Sequence, residues 1–261
     1  MDVRVLVVGG IDPSGGAGLS ADARTLHAHA AMALPVVAAL TVQNRFGVRA
    51  VEAVRTESLR AAFRAAIDDG PVHAIKTGLL ASAEQIEALA QLLGELRPRP
   101  PLVVDPVLSA TAGGHQAPPQ VAAAYRRRLV PLATVLTPNL PEAEAILAGA
   151  RVDALLAEGC QAVLLKGGHG SGPELTDRLL QRGGELRFSH RRLPVGRVHG
   201  TGCALASSLA AGLAHGRTVV AASGDAIGWL QRCLQSLPPP QRADAPPRPL
   251  PIVVRGVSAI S

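Results

Sequence analysis

Aromatic side chains make up only 2 % of this chain. A hydrophobic interior must therefore be built from Ala, Val and Leu, and the 48 % hydrophobic content is enough for a sizeable one. The same scarcity argues against nucleic acid as a partner. Single strands are held by bases stacking on aromatic rings, and the basic residues behind the net charge of +6 are dispersed. Their one run, Arg126-Arg127-Arg128, reads as a solvated helix face. Long apolar runs are also missing: none approaches the roughly 20 residues that span a bilayer. The N-terminus has no basic region followed by a long apolar stretch, as a secretory signal requires. No membrane partner is expected, and the cytoplasm is the default location. Cysteine is scarce too. Cys160, Cys203 and Cys233 are odd in number and widely spaced, which fits neither a disulfide framework nor a metal-ligand pattern. Lysine is nearly absent, with Lys76 and Lys166 the only two among 26 basic residues. A lysine is a compact, mobile point charge suited to following a transferring phosphate.

What the chain does contain is a rhythm of short apolar runs, each closed by glycine or a polar residue. Residues 3–8 form a β-branched run that ends at Gly9-Gly10 and reads as a buried parallel strand. A loop over 11–18 follows, holding three glycines in four residues, and then a helix over 19–31. Strand, glycine loop and helix make the first half of a βαβ unit. Further strands are expected over 35–42, 72–76, 102–104, 135–136 and 163–165, with helices over 57–68, 83–96, 120–129 and 219–237. Residues 176–180 and 185–189 read as a hairpin around Arg182-Gly183-Gly184. Alternating strands and helices mean one α/β domain with a mostly parallel sheet. That domain is expected over 1–237, followed by a Pro/Arg-rich tail over 238–261 that is extended or disordered and ends in an edge strand near 252–254.

The most informative stretch is the loop Val198-His199-Gly200-Thr201-Gly202-Cys203 and the small-residue helix it opens. Gly200 and Gly202 let backbone approach a ligand closely. The free N–H groups and dipole of the helix start form an anion site. Cys203 sits at that positive end, where a thiol pKa is lowered. Read alone, the loop is equally a helix cap with a buried cysteine. The other runs decide between the two. Asp12, Gln43, Lys76, Asp105, Asn139, Lys166 and Cys203 each lie at or just past the end of an apolar run, and in a parallel sheet such ends converge on one edge. There Asp105 and Glu142 are oxygen donors suited to magnesium, Lys166 is placed to neutralise ATP phosphate, and the Gly200–Cys203 amides can stabilise a transferring phosphoryl group. Glu142 and Glu144 also open a helix, where capping is their plain role. No Walker-type loop is present, so a P-loop kinase is disfavoured.

Seven stretches in order carry a resemblance: Gly10 to Asp22 (GIDPSGGAGLSAD), Leu40 to Asn44 (LTVQN), Lys76 to Ser82 (KTGLLAS), Asp105 to Gly113 (DPVLSATAG), Thr137 to Glu144 (TPNLPEAE), Ala162 to His169 (AVLLKGGH) and His199 to Leu205 (HGTGCAL). With these the chain resembles the ribokinase-like superfamily, and within it the hydroxymethylpyrimidine/phosphomethylpyrimidine kinases. The resemblance implies a three-layer α/β/α domain and ATP- and Mg2+-dependent phosphorylation of 4-amino-5-hydroxymethyl-2-methylpyrimidine and its monophosphate. It implies that Gln43 hydrogen-bonds the aminopyrimidine, that Asp22 and the backbone at Gly10 and Ala17 line the substrate pocket, and that Leu79 and Val107 pack on the ring. Cys203 takes the place of the base that accepts the hydroxymethyl proton, with Gly200 and Gly202 at its side. Lys166, Asn139, Thr201 and Asp105 fall to ATP, and Asp105 and Glu142 to the metal. A homodimer is the expected assembly. The rival readings are a pyridoxal kinase of the same superfamily and a non-catalytic pyrimidine-binding protein.

Overall fold

In the computed structural model, the described residues are 2–44, 46–109, 114, 116–168, 172–240 and 247–253. His169 and all of the small-residue loop at 111–114 except Gly114 lie outside them. The chain runs β1 (Val3–Ile11), α1 (Gly18–Ala28), β2 (Ala31–Asn44), β3 (Gly47–Ala53), α2 (Thr56–Asp68), β4 (Ala74–Thr77), α3 (Ala83–Glu95), β5 (Leu102–Val104) and α4 (Pro119–Ala124). It continues through β6 (Val135–Leu136), α5 (Leu140–Leu147), α6 (Asp153–Ala157), β7 (Ala162–Leu165), β8 (Glu174–Gln181), β9 (Gly184–Arg191), β10 (Val198–His199), α7 (Thr201–Ala214), α8 (Val219–Gln235) and β11 (Arg248–Pro249).

Among the described residues, nine strands form one sheet in the order β3-β2-β1-β4-β5-β6-β7-β8-β9. From β2 to β7 neighbours are parallel, while β3, β8 and β9 are antiparallel additions at the two edges. Residues alternate sides along a strand, and here both sides are dry. Leu6 and Val8 of β1 pack with Phe63, Ile86, Leu89 and Tyr125 from α2, α3 and the segment after α4. Val5 and Val7 pack with Leu19, Leu205, Leu209 and Ala226 from α1, α7 and α8. Burial on both faces is why these strands read as continuous apolar runs, and it makes the expected three-layer α/β/α domain.

Several boundaries differ from expectation. Strand β2 starts at Ala31, because pairing with Val3 extends it along the whole of β1. Strand β3 was not expected. It returns antiparallel on β2, and its outward Arg49 and Glu52 dilute the apolar signal of Val48 and Val51. The helix over 120–129 breaks at Ala124 into a wide π turn over Tyr125–Leu129, where the buried Tyr125 hydroxyl donates to the Gly78 carbonyl at 2.9 Å. In the tail, the strand is Arg248–Pro249, earlier than the stretch read from sequence. It pairs with Val198 and His199, and Leu250 beside it is buried against Val198, Ala204 and Trp229.

Candidate active site

The carboxyl ends of the parallel strands open onto a cleft of about 480 Å³. Every residue singled out from sequence for a site lines it: Gly10, Ala17, Asp22, Gln43, Leu79, Val107, Asp105, Asn139, Glu142, Lys166, Gly200, Thr201, Gly202 and Cys203. One end is walled by β2 and β3 through Gln43, Val48 and Val51, the other by β8, β9 and α8.

The floor is two ion pairs. Lys76 at the end of β4 is fully buried and donates to both oxygens of Asp22 on α1, at 2.9 and 3.0 Å. Ser207 of α7 donates to the same carboxylate at 2.7 Å. Burial alone would lower the Lys76 pKa, but Asp22, Cys203 and Asp105 outweigh it and hold the ammonium charged. Asp22 was read as a substrate-pocket residue. Its three hydrogen bonds, two from Lys76 and one from Ser207, show what it does structurally: it anchors Lys76 at the cleft floor.

The second pair centres on Lys166, just past β7. Its Nζ lies 3.0 Å from Asp105 Oδ1 and 3.8 Å from Glu142 Oε2. Thr137 donates to the same Asp105 oxygen at 3.0 Å. Two carboxylates thus share one ammonium. Burial pulls Asp105 upward, but Lys166 and Lys76 hold it below the usual range. Burial and the Asp105 charge lift Glu142 above its own, against the pull of Lys166. Glu142 also caps α5 with Asn139: Asn139 N–H donates to Glu142 Oε2 and Glu142 N–H to Asn139 Oδ1, each at 2.8 Å. Glu142 thus caps α5 while its carboxylate also faces Lys166 across the cleft.

The third wall is the start of α7. Gly200 precedes it at φ +85°, against the Gly16 carbonyl, where any Cβ would collide. No side chain caps the helix, which leaves the Thr201, Gly202 and Cys203 amides as first-turn donors. The loop after β1 is fastened to this wall by Asp12. Its carboxylate accepts from the Ser14 and Ala17 amides and from the Ser14 hydroxyl, and lies 2.8 Å from His199 Nε2. Burial pulls Asp12 upward, yet these bonds bring it down to about 2. The role of His199 was missed from sequence, although it stands inside the HGTGC stretch.

Cys203 reverses one expectation. The helix start was expected to lower the thiol pKa, but it is pushed up to about 11. Burial is the main cause, and Asp22 and Asp105 add to it against the opposing pull of Lys76 and the Gly18 amide. The exposure this side chain keeps is to the enclosed cleft. The protein without substrate carries a thiol here.

Asp105, just past β5, and Glu142, in the first turn of α5, are a donor set that suits Mg2+, which takes one or two carboxylates and completes its shell with phosphate oxygens and water. Among the described residues there is no cluster of three or more His, Cys, Asp or Glu side chains that could hold a metal.

The sequence comparisons agree on one family, and the solved structures that superpose include pyridoxal kinases as well. The family model described as phosphomethylpyrimidine kinase matches residues 12–247. A hydroxymethylpyrimidine/phosphomethylpyrimidine kinase of Mycobacterium tuberculosis is 39 % identical over 95 % of this chain and 94 % of its own. One from Salmonella typhimurium is 37 % identical over 89 % and 91 %. Among solved structures, a phosphomethylpyrimidine kinase from Clostridium difficile superposes with a TM-score of 0.75 at 31 % identity, over 88 % of this chain and 98 % of the other. A Bacillus subtilis pyridoxal kinase in complex with ADP reaches 0.83 at 27 % identity, over 95 % and 98 %.

Proposed function

The chain belongs to the phosphomethylpyrimidine kinase family of phosphotransferases, and from that premise we propose that it transfers the γ-phosphate of ATP to 4-amino-5-hydroxymethyl-2-methylpyrimidine and then to the resulting monophosphate, as a step in making thiamine. The observation that carries this reading is the meeting of the open α7 amides, the Cys203 thiol and the Lys166–Asp105–Glu142 group in one cleft. The acceptor occupies the β2–β3 end, where Gln43 reads the aminopyrimidine, Leu79 and Val107 flank the ring, and the backbone at Gly10 and Ala17 meets its edge. Its hydroxymethyl group then faces Cys203, whose thiolate form takes the proton and returns to the thiol. The Gly200–Cys203 amides receive the phosphoryl charge as it moves, the main electrostatic task of this chemistry. Lys166, Asn139 and Thr201 hold the nucleotide phosphates. Asp105 and Glu142 hold the Mg2+, whose contribution when bound is to neutralise phosphate charge. The second transfer needs no base, because a phosphate monoester is already largely anionic.

The assembly we propose is a homodimer in the cytoplasm, with residues 1–237 as the catalytic domain. Leu40, Val42 and Phe46, large apolar side chains exposed at the β2–β3 edge, support the dimer, and three free cysteines fit a reducing compartment. The test is a Mg-ATP assay of hydroxymethylpyrimidine, its monophosphate and pyridoxal side by side. Turnover of both pyrimidines at a kcat/KM well above that of pyridoxal is expected. Preference for pyridoxal would overturn the reading.

A further inference from the structure

The end of the cleft opposite Gln43 carries polar side chains that the reading above does not use. Asp177 on β8, His190 on β9 and Gln231 on α8 all line it. Asp177 Oδ1 accepts from the Gly167 amide at 2.7 Å, directly after Lys166. Its Oδ2 lies 3.1 Å from His190 Nε2, and His190 Nδ1 lies 2.9 Å from Gln231 Nε2. Around this chain stand apolar residues: Leu175 of β8, and Ile227, Leu230 and Leu234, which share the Gln231 side of α8 at helical spacing.

For a neutral His190 ring the hydrogen-bond chain has one direction. A carboxylate only accepts hydrogen bonds, so His190 Nε2 must donate to Asp177. The neutral ring then has a lone pair, not a proton, at Nδ1, and Gln231 must point its NH2 group at it. The carboxamide cannot turn over without facing its oxygen against that lone pair. Gln231 is left with Oε1, a pure acceptor, and no other hydrogen bond among the described residues occupies it.

Sheet order says which part of a nucleotide meets it. Asp105 and Lys166 come from β5 and β7, in the middle of the sheet edge. The acceptor end lies toward β2 and β3, so a nucleotide with its phosphates at Lys166 extends toward β8, β9 and α8. We propose that Gln231, oriented by His190 and Asp177, is a specificity-determining residue that selects the nucleobase through Oε1. It favours a purine with an amino donor at position 6, adenine, over one with an oxo group there. The inference rests on the phosphotransfer reading for the direction in which the nucleotide lies.

Calorimetric titration of the full chain at pH 8 without acceptor, using ATP and inosine triphosphate, isolates position 6 of the purine. ATP is expected to bind about five- to tenfold more tightly, as for one hydrogen bond made or left unmade. Gln231→Leu should bring that ratio to near one by weakening ATP alone. His190→Ala, which frees the carboxamide to rotate, should also narrow it, and carries the test if Gln231→Leu does not fold. A purely structural role would weaken both nucleotides equally. An unchanged ratio in either folded variant, no preference in the wild type, or no binding of ATP overturns the inference. Retained ATP selectivity without phosphorylation of either pyrimidine would instead leave it standing and sink the functional reading.

Discussion

At the scale of single residues, the site is decided by which burial effects win. Cys203 is the clearest case. The positive end of α7 and the Lys76 ammonium both favour a thiolate, but removal from water and the carboxylates of Asp22 and Asp105 favour the thiol, and the thiol prevails at a pKa of about 11. If this sulfur is the proton acceptor, the first phosphorylation should gain about tenfold in rate per pH unit through the neutral and mildly alkaline range, following the thiolate fraction. Transfer to the monophosphate should not show that slope. Cys203→Ala should slow the first step by about 10²–10⁴-fold, the usual worth of a positioned base, while ATP still binds and the second step loses far less. Parallel pH profiles for the two acceptors, or equal losses in the variant, would remove Cys203 from the chemistry. The position of this cysteine was legible because its helix start is written in glycines. Its protonation state was not, because Asp22, Lys76 and Asp105 are 181, 127 and 98 residues away in sequence and only the fold makes them neighbours.

At the scale of elements, the loop between β1 and α1 and the start of α7 behave as one unit joined through Asp12. A carboxylate held at about 2, against an ordinary 3.8, contributes about 2 kcal/mol to folding. Because its folded pKa is depressed, that contribution is complete above pH 4 and is lost as pH falls through 2. Asp12→Asn should therefore lower stability by about 2 kcal/mol at pH 7, and the gap to wild type in urea unfolding should close on acidification toward pH 2. A gap independent of pH would mean that the contribution is packing rather than charge. The elements themselves were largely readable, for reasons that differ between them. Strands such as β1 and β7 are buried on both faces and announce themselves as apolar runs. Strand β3 did not, because an edge strand with one wet face mixes Arg49 and Glu52 among its valines. The Asp177–His190–Gln231 chain was not legible either: its members lie on three elements, and nothing local in any of them marks a partner.

At the scale of the whole molecule, the last described segment reinforces the loop ahead of α7 from behind. The Arg248 amide donates to the Arg197 carbonyl at 3.0 Å, and the Leu250 amide to that of His199 at 3.3 Å. Arg248 also reaches the carbonyls of Val195 and Pro238, at 2.6 and 2.8 Å. The indole of Trp229 donates to the Val253 carbonyl at 2.9 Å. Leu250 is the apolar plug of this arrangement, 2 % exposed beside Val198, Ala204 and Trp229. Its neighbours carry the strand that leads into Gly200 and the first turn of α7, so loosening it should be felt at the anion site. Leu250→Ala should cost about 2–3 kcal/mol, near the lower end for a buried leucine, because the plug lies at the margin of the domain. The comparison that isolates its role is Leu155→Ala, in the layer on the opposite side of the sheet. Both variants should lower Tm, but only Leu250→Ala should raise KM for ATP, by several-fold. If the two lower Tm alike and leave KM alike, the tail is a stabilising wrap with no hold on the site. If KM moves with Leu250 alone, residues that read in sequence as a Pro/Arg-rich appendage are part of what keeps the open amides of α7 in place.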